Sequence, residues 1–256
     1  MGGSLVLSIS TLLGFLLTLV RIAGVFAFVP LPGVTAVTHP AKIMLTIGVS
    51  IALFPVWPQV SASPSVGLFA MWILLEAGLG VGIGLSVAFV ADGLALGAQV
   101  MGLQAGYSFA STVDPNTQAD STVLAVFAQL ASGMLFFATG LDRDVLQIFA
   151  HSLQTCPPGG FLLGRGAAEQ MVAMGSTMFS TGLRLALPMI AVLSMVDISL
   201  ALLGRVNAQL QLLHLAFPVK MMVGLVLLGW VALMIPALFR GTAATTLAAA
   251  WRLIAR

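Results

Sequence analysis

Val66–Ala91 reads VGLFAMWILLEAGLGVGIGLSVAFVA, with Glu76 as its only charged residue. A membrane-spanning helix needs about 20 mostly apolar residues, and this stretch is longer. Gly78, Gly80, Gly82 and Gly84 alternate with apolar residues inside it. A phosphate-cradling glycine loop would follow a strand in a polar context, and this run has neither. On a helix, Gly78/Gly82 and Gly80/Gly84 lie four apart, a spacing that lets a neighbouring backbone approach closely. The stretch reads as a membrane-protein helix packed tightly on another helix.

The rest of the chain agrees. Of its 256 residues, 59% are hydrophobic and only 7% are charged, against roughly 25% charged in soluble domains. So few charges leave no water-facing exterior, and they exclude a soluble disordered chain. The net charge of +2 carries no basic patch, which excludes nucleic acid as a partner. A single cysteine, Cys156, excludes an internal disulfide framework and a multi-cysteine metal site.

Five more candidate spans flank the first: Leu5–Val29, Ile43–Trp57, Ser121–Phe137 with a possible run to Phe149, Met171–Gly204 and Leu212–Phe239. Leu5–Val29 is longer than a secretory apolar region and follows no basic segment, so it reads as a retained span. Pro30 and Pro32 end it, and Pro40, Pro55 and Pro58 bound the short second candidate. The expected fold class is an all-α membrane protein of about six long hydrophobic helices with broken or hairpin segments. Between the spans, Gly93–Asp120 and Asp142–Glu169 are less apolar and read as connections. Arg143, Arg165, Arg240, Arg252 and Arg256 fall on one side of a six-span layout, and Lys42, Arg205 and Lys220 on the other. That bias is weak and puts both termini in the cytoplasm.

Arg21, Glu76, Arg184, Asp197 and Lys220 lie inside apolar runs. A charge at the centre of a membrane costs roughly 2.5–3.5 kcal/mol on insertion scales, so such groups meet a partner or a wet cavity. They read as structural ion pairs or as an ion relay, the latter short of carboxylates. Gln99, Gln104, Tyr107, Ser108, Ser111 and Thr112 form a polar stretch closing on Asp114-Pro115. It is either an exposed loop or a segment facing a channel, since broken backbone at membrane depth must be buried or line a cavity. Met171, Met174 and Met178 share a helical face, as a core stripe or a deformable gasket. His39, His151 and His214 stand apart, with no metal-binding or nucleophilic constellation. The residues imply neither an enzyme nor a cofactor.

Several segments carry a resemblance when taken in order. Arg21 is followed by Pro30 and by His39-Pro40-Ala41-Lys42, then by the helix bearing Glu76. Gly102-Leu103-Gln104-Ala105-Gly106-Tyr107-Ser108-Phe109-Ala110 then leads to Val113-Asp114-Pro115. Pro157 and Gly159 come next, then Gly204-Arg205, Gln209 and Phe217-Pro218-Val219-Lys220. This order resembles the FliR family, called SctT in injectisomes, the R subunit of the type III secretion export gate.

The resemblance implies a P-subunit-like helical part over residues 1–170 and a Q-subunit-like helical hairpin over 171–256. It implies assembly with FliP-like, FliQ-like and FlhB-like subunits in the bacterial inner membrane, at the flagellar basal body. Unfolded export substrates would pass through that assembly, driven by the proton-motive force and an ATPase complex. Gly106, Tyr107, Ser108, Phe109, Val113, Asp114 and Pro115 match the family's plug, and Arg205, Gln209, Pro218 and Lys220 its entrance turn. Much of such a core is lifted out of the bilayer, which would change the six-span layout. Three positions depart from the family pattern: Thr112 replaces a second aromatic, Arg205–Gln209 lacks a proline, and Gly140-Leu141 replaces Gly-His. A secondary transporter, suggested by broken glycine-rich helices and buried charges, is the rival reading.

Overall fold

The computed structural model describes residues 8–29, 39–58, 60, 64–107, 123–161, 164–206 and 212–254. Among them there is no strand. The helices are α1 (Ile9–Phe28), α2 (His39–Ala52), α3 (Val66–Ala105), α4 (Val123–Ala138), α5 (Leu141–Thr155), α6 (Arg165–Val206) and α7 (Leu212–Ile254). A 3-10 turn, Phe54–Val56, follows α2. Among the described residues, four helices are long and apolar enough to cross a membrane, α1, α3, α6 and most of α7, and α4 with α5, bent by 67°, makes a fifth if the pair is one span. The protein is an all-α membrane protein.

Local chemistry sets the ends. Ser8 caps α1, its hydroxyl accepting from the Thr11 N–H at 3.3 Å, which satisfies one of the free donors of a first turn. The short second candidate span is α2 plus the 3-10 turn, because Pro55 permits no further helix. Two sequence expectations change. The stretch from Gly93 is helical to Ala105, so α3 reaches 40 residues. Asp142–Glu169 contains α5, whose buried Leu141, Val145, Ile148, Phe149 and Ser152 fall at helical spacing. Asp142 and Asp144 occupy its first turn, where negative charge suits the helix dipole. Gly140, at φ +78°, separates α4 from α5.

The chain divides into two compact units, each continuous in space but not in sequence. The first comprises residues 1–89, 136–175 and 243–256. Here the glycine run acts as expected of helix packing. A Cβ on Gly84 would lie 2.7 Å from the Val25 carbonyl oxygen, and one on Gly80 would overlap the Arg21 carbonyl. These glycines therefore set how closely α3 lies against α1. Leu17, Ile22 and Val25 of α1, Leu79 and Ile83 of α3, and Ile148 and Phe149 of α5 form its core.

The second unit comprises residues 90–135 and 176–242. A Cβ on Gly93 would stand 3.1 Å from the Met178 carbonyl oxygen, and one on Gly182 would stand 2.9 Å from the Gly93 carbonyl oxygen. That close contact explains why small residues continue past Ala91 without ending the helix. α6 and α7 run antiparallel: Thr181 meets Thr242 at 3.3 Å, and Asp197 meets Lys220 at 2.9 Å. Leu185, Ala186, Met189 and Leu193 form the buried stripe of α6.

Candidate functional site

In the first unit, Arg21 is 1% exposed and Glu76 2%. The Arg21 Nε donates to Glu76 Oε2. Its Nη1 donates to the Ser152 carbonyl at 2.7 Å and hydroxyl at 3.1 Å, and its Nη2 donates to the Cys156 carbonyl at 3.1 Å. One guanidinium thus ties α1 to α3 and to the end of α5. A planar fork of five N–H donors suits this work, and an ammonium would not reach so many acceptors. Glu76 Oε1 is buried and has no partner among the described residues.

In the second unit, α3 ends on a designed stop. Gly106 adopts φ +83°, its N–H donates to the Leu103 carbonyl at 3.2 Å, and the Tyr107 N–H donates to the Gly102 carbonyl at 2.9 Å. That bond pair is a Schellman cap, which needs a left-handed residue at the Gly106 position. The Tyr107 hydroxyl then donates to the Met221 carbonyl of α7 at 2.9 Å. Burial pushes the Tyr107 pKa up from its ordinary value. A Cβ on Gly224 would lie 2.9 Å from Ala105, so α7 also approaches the last turn of α3 closely. The end of α3 at Gly106 and Tyr107 is therefore fixed to α7. Ser108, Phe109, Val113, Asp114 and Pro115 lie outside the described residues.

Lys220 pairs with Asp197 at 2.9 and 3.0 Å, at side-chain exposures of 19% and 44%. Arg205 is exposed at the end of α6, Pro218 is exposed on α7, and Gln209 lies outside the described residues. Arg184 is exposed on α6. Among the described residues, no group of three His, Cys, Asp or Glu could hold a metal ion.

The family described as bacterial export proteins, family 1, matches residues 12–245. The chain belongs to this FliR/SctT family. It is 28% identical over 210 residues to the flagellar biosynthetic protein FliR of Escherichia coli (strain K12), covering 82% of this chain and 80% of that protein. It is also 28% identical over 217 residues to FliR of Pectobacterium carotovorum, covering 85% and 83%. FliR of Buchnera aphidicola from Acyrthosiphon pisum is 22% identical over 220 residues, covering 86% and 85%.

For this export protein, the sequence singled out Arg21 and Glu76 but not the groups that complete their cluster. The partners on Ser152 and Cys156 are mostly backbone carbonyls, which leave no side-chain signature. Asp92 follows directly on the apolar run that ends at Ala91 and so carries no signal of an intramembrane charge; it is exposed on α3.

Proposed function

We propose that this chain is the R-type subunit of a flagellar protein-export gate in the bacterial inner membrane, with no catalysis of its own. FliP-like, FliQ-like and FlhB-like subunits complete the gate, and unfolded export substrates pass through it. Residues 1–170 supply the P-like part and 171–256 the Q-like hairpin, in which α6 and α7 are the two arms. The curated relatives, all named flagellar biosynthetic protein FliR, support the flagellar setting.

The observation that carries the reading is the capped, anchored end of α3. Gly106 and Tyr107 hold the base of the plug-like string against α7. A closing element needs such a fixed base. The apolar surface of α6 and α7 also supports an assembled role: only 22% and 17% of their most apolar windows are buried within the chain.

Deleting the gene in its own host should abolish export of hook and filament proteins. The chain should co-purify with P-type and Q-type subunits and move no solute when reconstituted alone. Solute transport by the chain alone, without those subunits, would instead identify a secondary transporter.

A further inference from the structure

Over most of its length α3 is covered by its own chain. From Leu75 to Ala105 its exposed residues are Asp92, Gln99 and Leu103, and all three lie in the second unit. With half-buried Leu96 they stand at spacings of four, three and four. That alternation averages 3.5 residues and keeps one stripe turned toward a neighbouring helix over several turns. Gly93 and Gly97, each one position further along, receive the backbone of α6. The stripe is therefore what the second unit leaves uncovered on α3.

Its composition decides what can cover it. Asp92 and Glu76 are the charged residues of α3. Glu76 is paired with Arg21, whereas neither Asp92 nor Gln99 has a side-chain hydrogen bond or ion pair among the described residues. Lipid on this stripe would set a carboxylate and a carboxamide, two turns apart, against hydrocarbon, which keeps such groups off lipid-facing surfaces. Water on it would leave Leu96 and the 60% exposed Leu103 uncovered. A second helix answers both demands, because it covers the leucines and brings donors to Asp92 and Gln99. In such a seam a polar residue fixes register and choice of partner at some cost in stability. An apolar residue opposite Asp92 would leave its charge buried and unpaired, so the residue that meets it is a cation.

We propose that Asp92, Leu96, Gln99 and Leu103 form a docking seam for one helix of a sister gate subunit. An arginine or lysine of that helix meets Asp92, and a hydrogen-bonding side chain seven residues along it meets Gln99. Apolar residues between them cover Leu96 and Leu103. The seam rests on the gate reading for the assembly it joins, and it adds which residues of α3 select the neighbour and by what chemistry.

The test uses the full chain, tagged and co-expressed with its P-type and Q-type subunits. Asp92→Lys should cut the sister subunits recovered per chain several-fold, and Asp92→Asn should cut them less. Circular dichroism of each lone variant in detergent should match wild type, because position 92 is exposed. A second measurement does not depend on those variants. Benzoylphenylalanine in place of Leu103, photolysed in the otherwise wild-type assembly, should join one helix of a sister subunit. That helix should hold a Lys or Arg about 11 residues from the cross-link, the separation of Asp92 and Leu103. Changing that cation to Glu should restore the yield of Asp92→Lys. Full recovery of sister subunits with Asp92→Lys would overturn the seam, and so would a cross-link to lipid or to a helix with no cation at that distance. If the wild-type chain itself recovers no P-type or Q-type subunit, the gate reading fails and the seam loses its partner; if it assembles and Asp92→Lys assembles equally, the seam alone fails.

Discussion

Arg21 on α1 and Glu76 on α3 form an ion pair sealed from solvent, with the remaining guanidinium donors on the Ser152 and Cys156 carbonyls. The pair is 55 residues apart in sequence and joins three helices of one unit. Taking two charges out of water costs several kcal/mol per ion, and the attraction and hydrogen bonds must offset it. The pair therefore specifies which helices meet, more than it adds to stability.

Breaking one half of this pair is expected to be far worse than removing both. Glu76→Ala or Arg21→Ala should lower stability by about 3–5 kcal/mol, the cost of an uncompensated buried charge. The double variant Arg21→Met/Glu76→Leu should recover much of that loss. Thermal unfolding in detergent, read on all three proteins, checks this. Simple addition of the two single effects would refute coupling between them.

Glycine substitutions should separate packing from propensity. A Cβ on Gly84 meets the Val25 carbonyl oxygen, whereas one on Gly48 of α2 meets nothing within 4 Å. Gly84→Val should push α1 away and destabilise by about 1–3 kcal/mol, as overpacking does. Gly48→Ala should be neutral or stabilising by up to about 1 kcal/mol, because alanine favours helix. Proteolysis rates of the two purified variants would show the contrast, and equal sensitivity would mean that α1 and α3 are not in close register.

The base of the plug-like string offers two graded lesions. Tyr107→Phe removes one hydrogen bond to the Met221 carbonyl, a net loss of about 0.5–1.5 kcal/mol. Gly106→Ala keeps the space, since Phe217 stands 3.5 Å from the new Cβ, but forces a left-handed alanine at about 1–2 kcal/mol. Both should leave assembly intact and raise ion leak through the gate, with the Gly106 variant at least as leaky. Wild-type leak in both would separate the anchored end of α3 from closure.

Asp197 and Lys220 should behave differently from the sealed pair. Lys220 and Asp197 are only partly buried within the chain, so this pair is held less tightly than Arg21 and Glu76. Lys220→Met should cost no more than about 1 kcal/mol in detergent. The swap Asp197→Lys/Lys220→Asp should restore whatever export the single variants lose. Failure of the swap alongside full loss in both singles would mean each residue serves some other contact.

The sequence displayed the apolar helices and the buried charges because both depend on composition within one segment. Arg21 and Glu76 stood out as charges in apolar runs, yet no local pattern links positions so far apart. α3 past Ala91 was masked for the opposite reason. Gly93 and Gly97 look like loop residues, but in the fold they admit the backbone of α6. α5 was legible only as a run of the fourth candidate span to Phe149: Asp142, Arg143 and Asp144 suggest a connection, while the apolar spacing from Leu141 to Leu153 belongs to a half-buried helix. The Schellman cap at Gly106 was not legible, because the helix it closes was read as ending at Ala91, and its anchor on Met221 is a backbone carbonyl that no side chain announces.

The most direct measurement is the ionic permeability of the purified assembly in vesicles, with and without Ser108–Asp114 of this chain. The account predicts an assembly of unchanged composition whose ion flux rises well above that of the intact complex. An assembled but equally tight complex would contradict it.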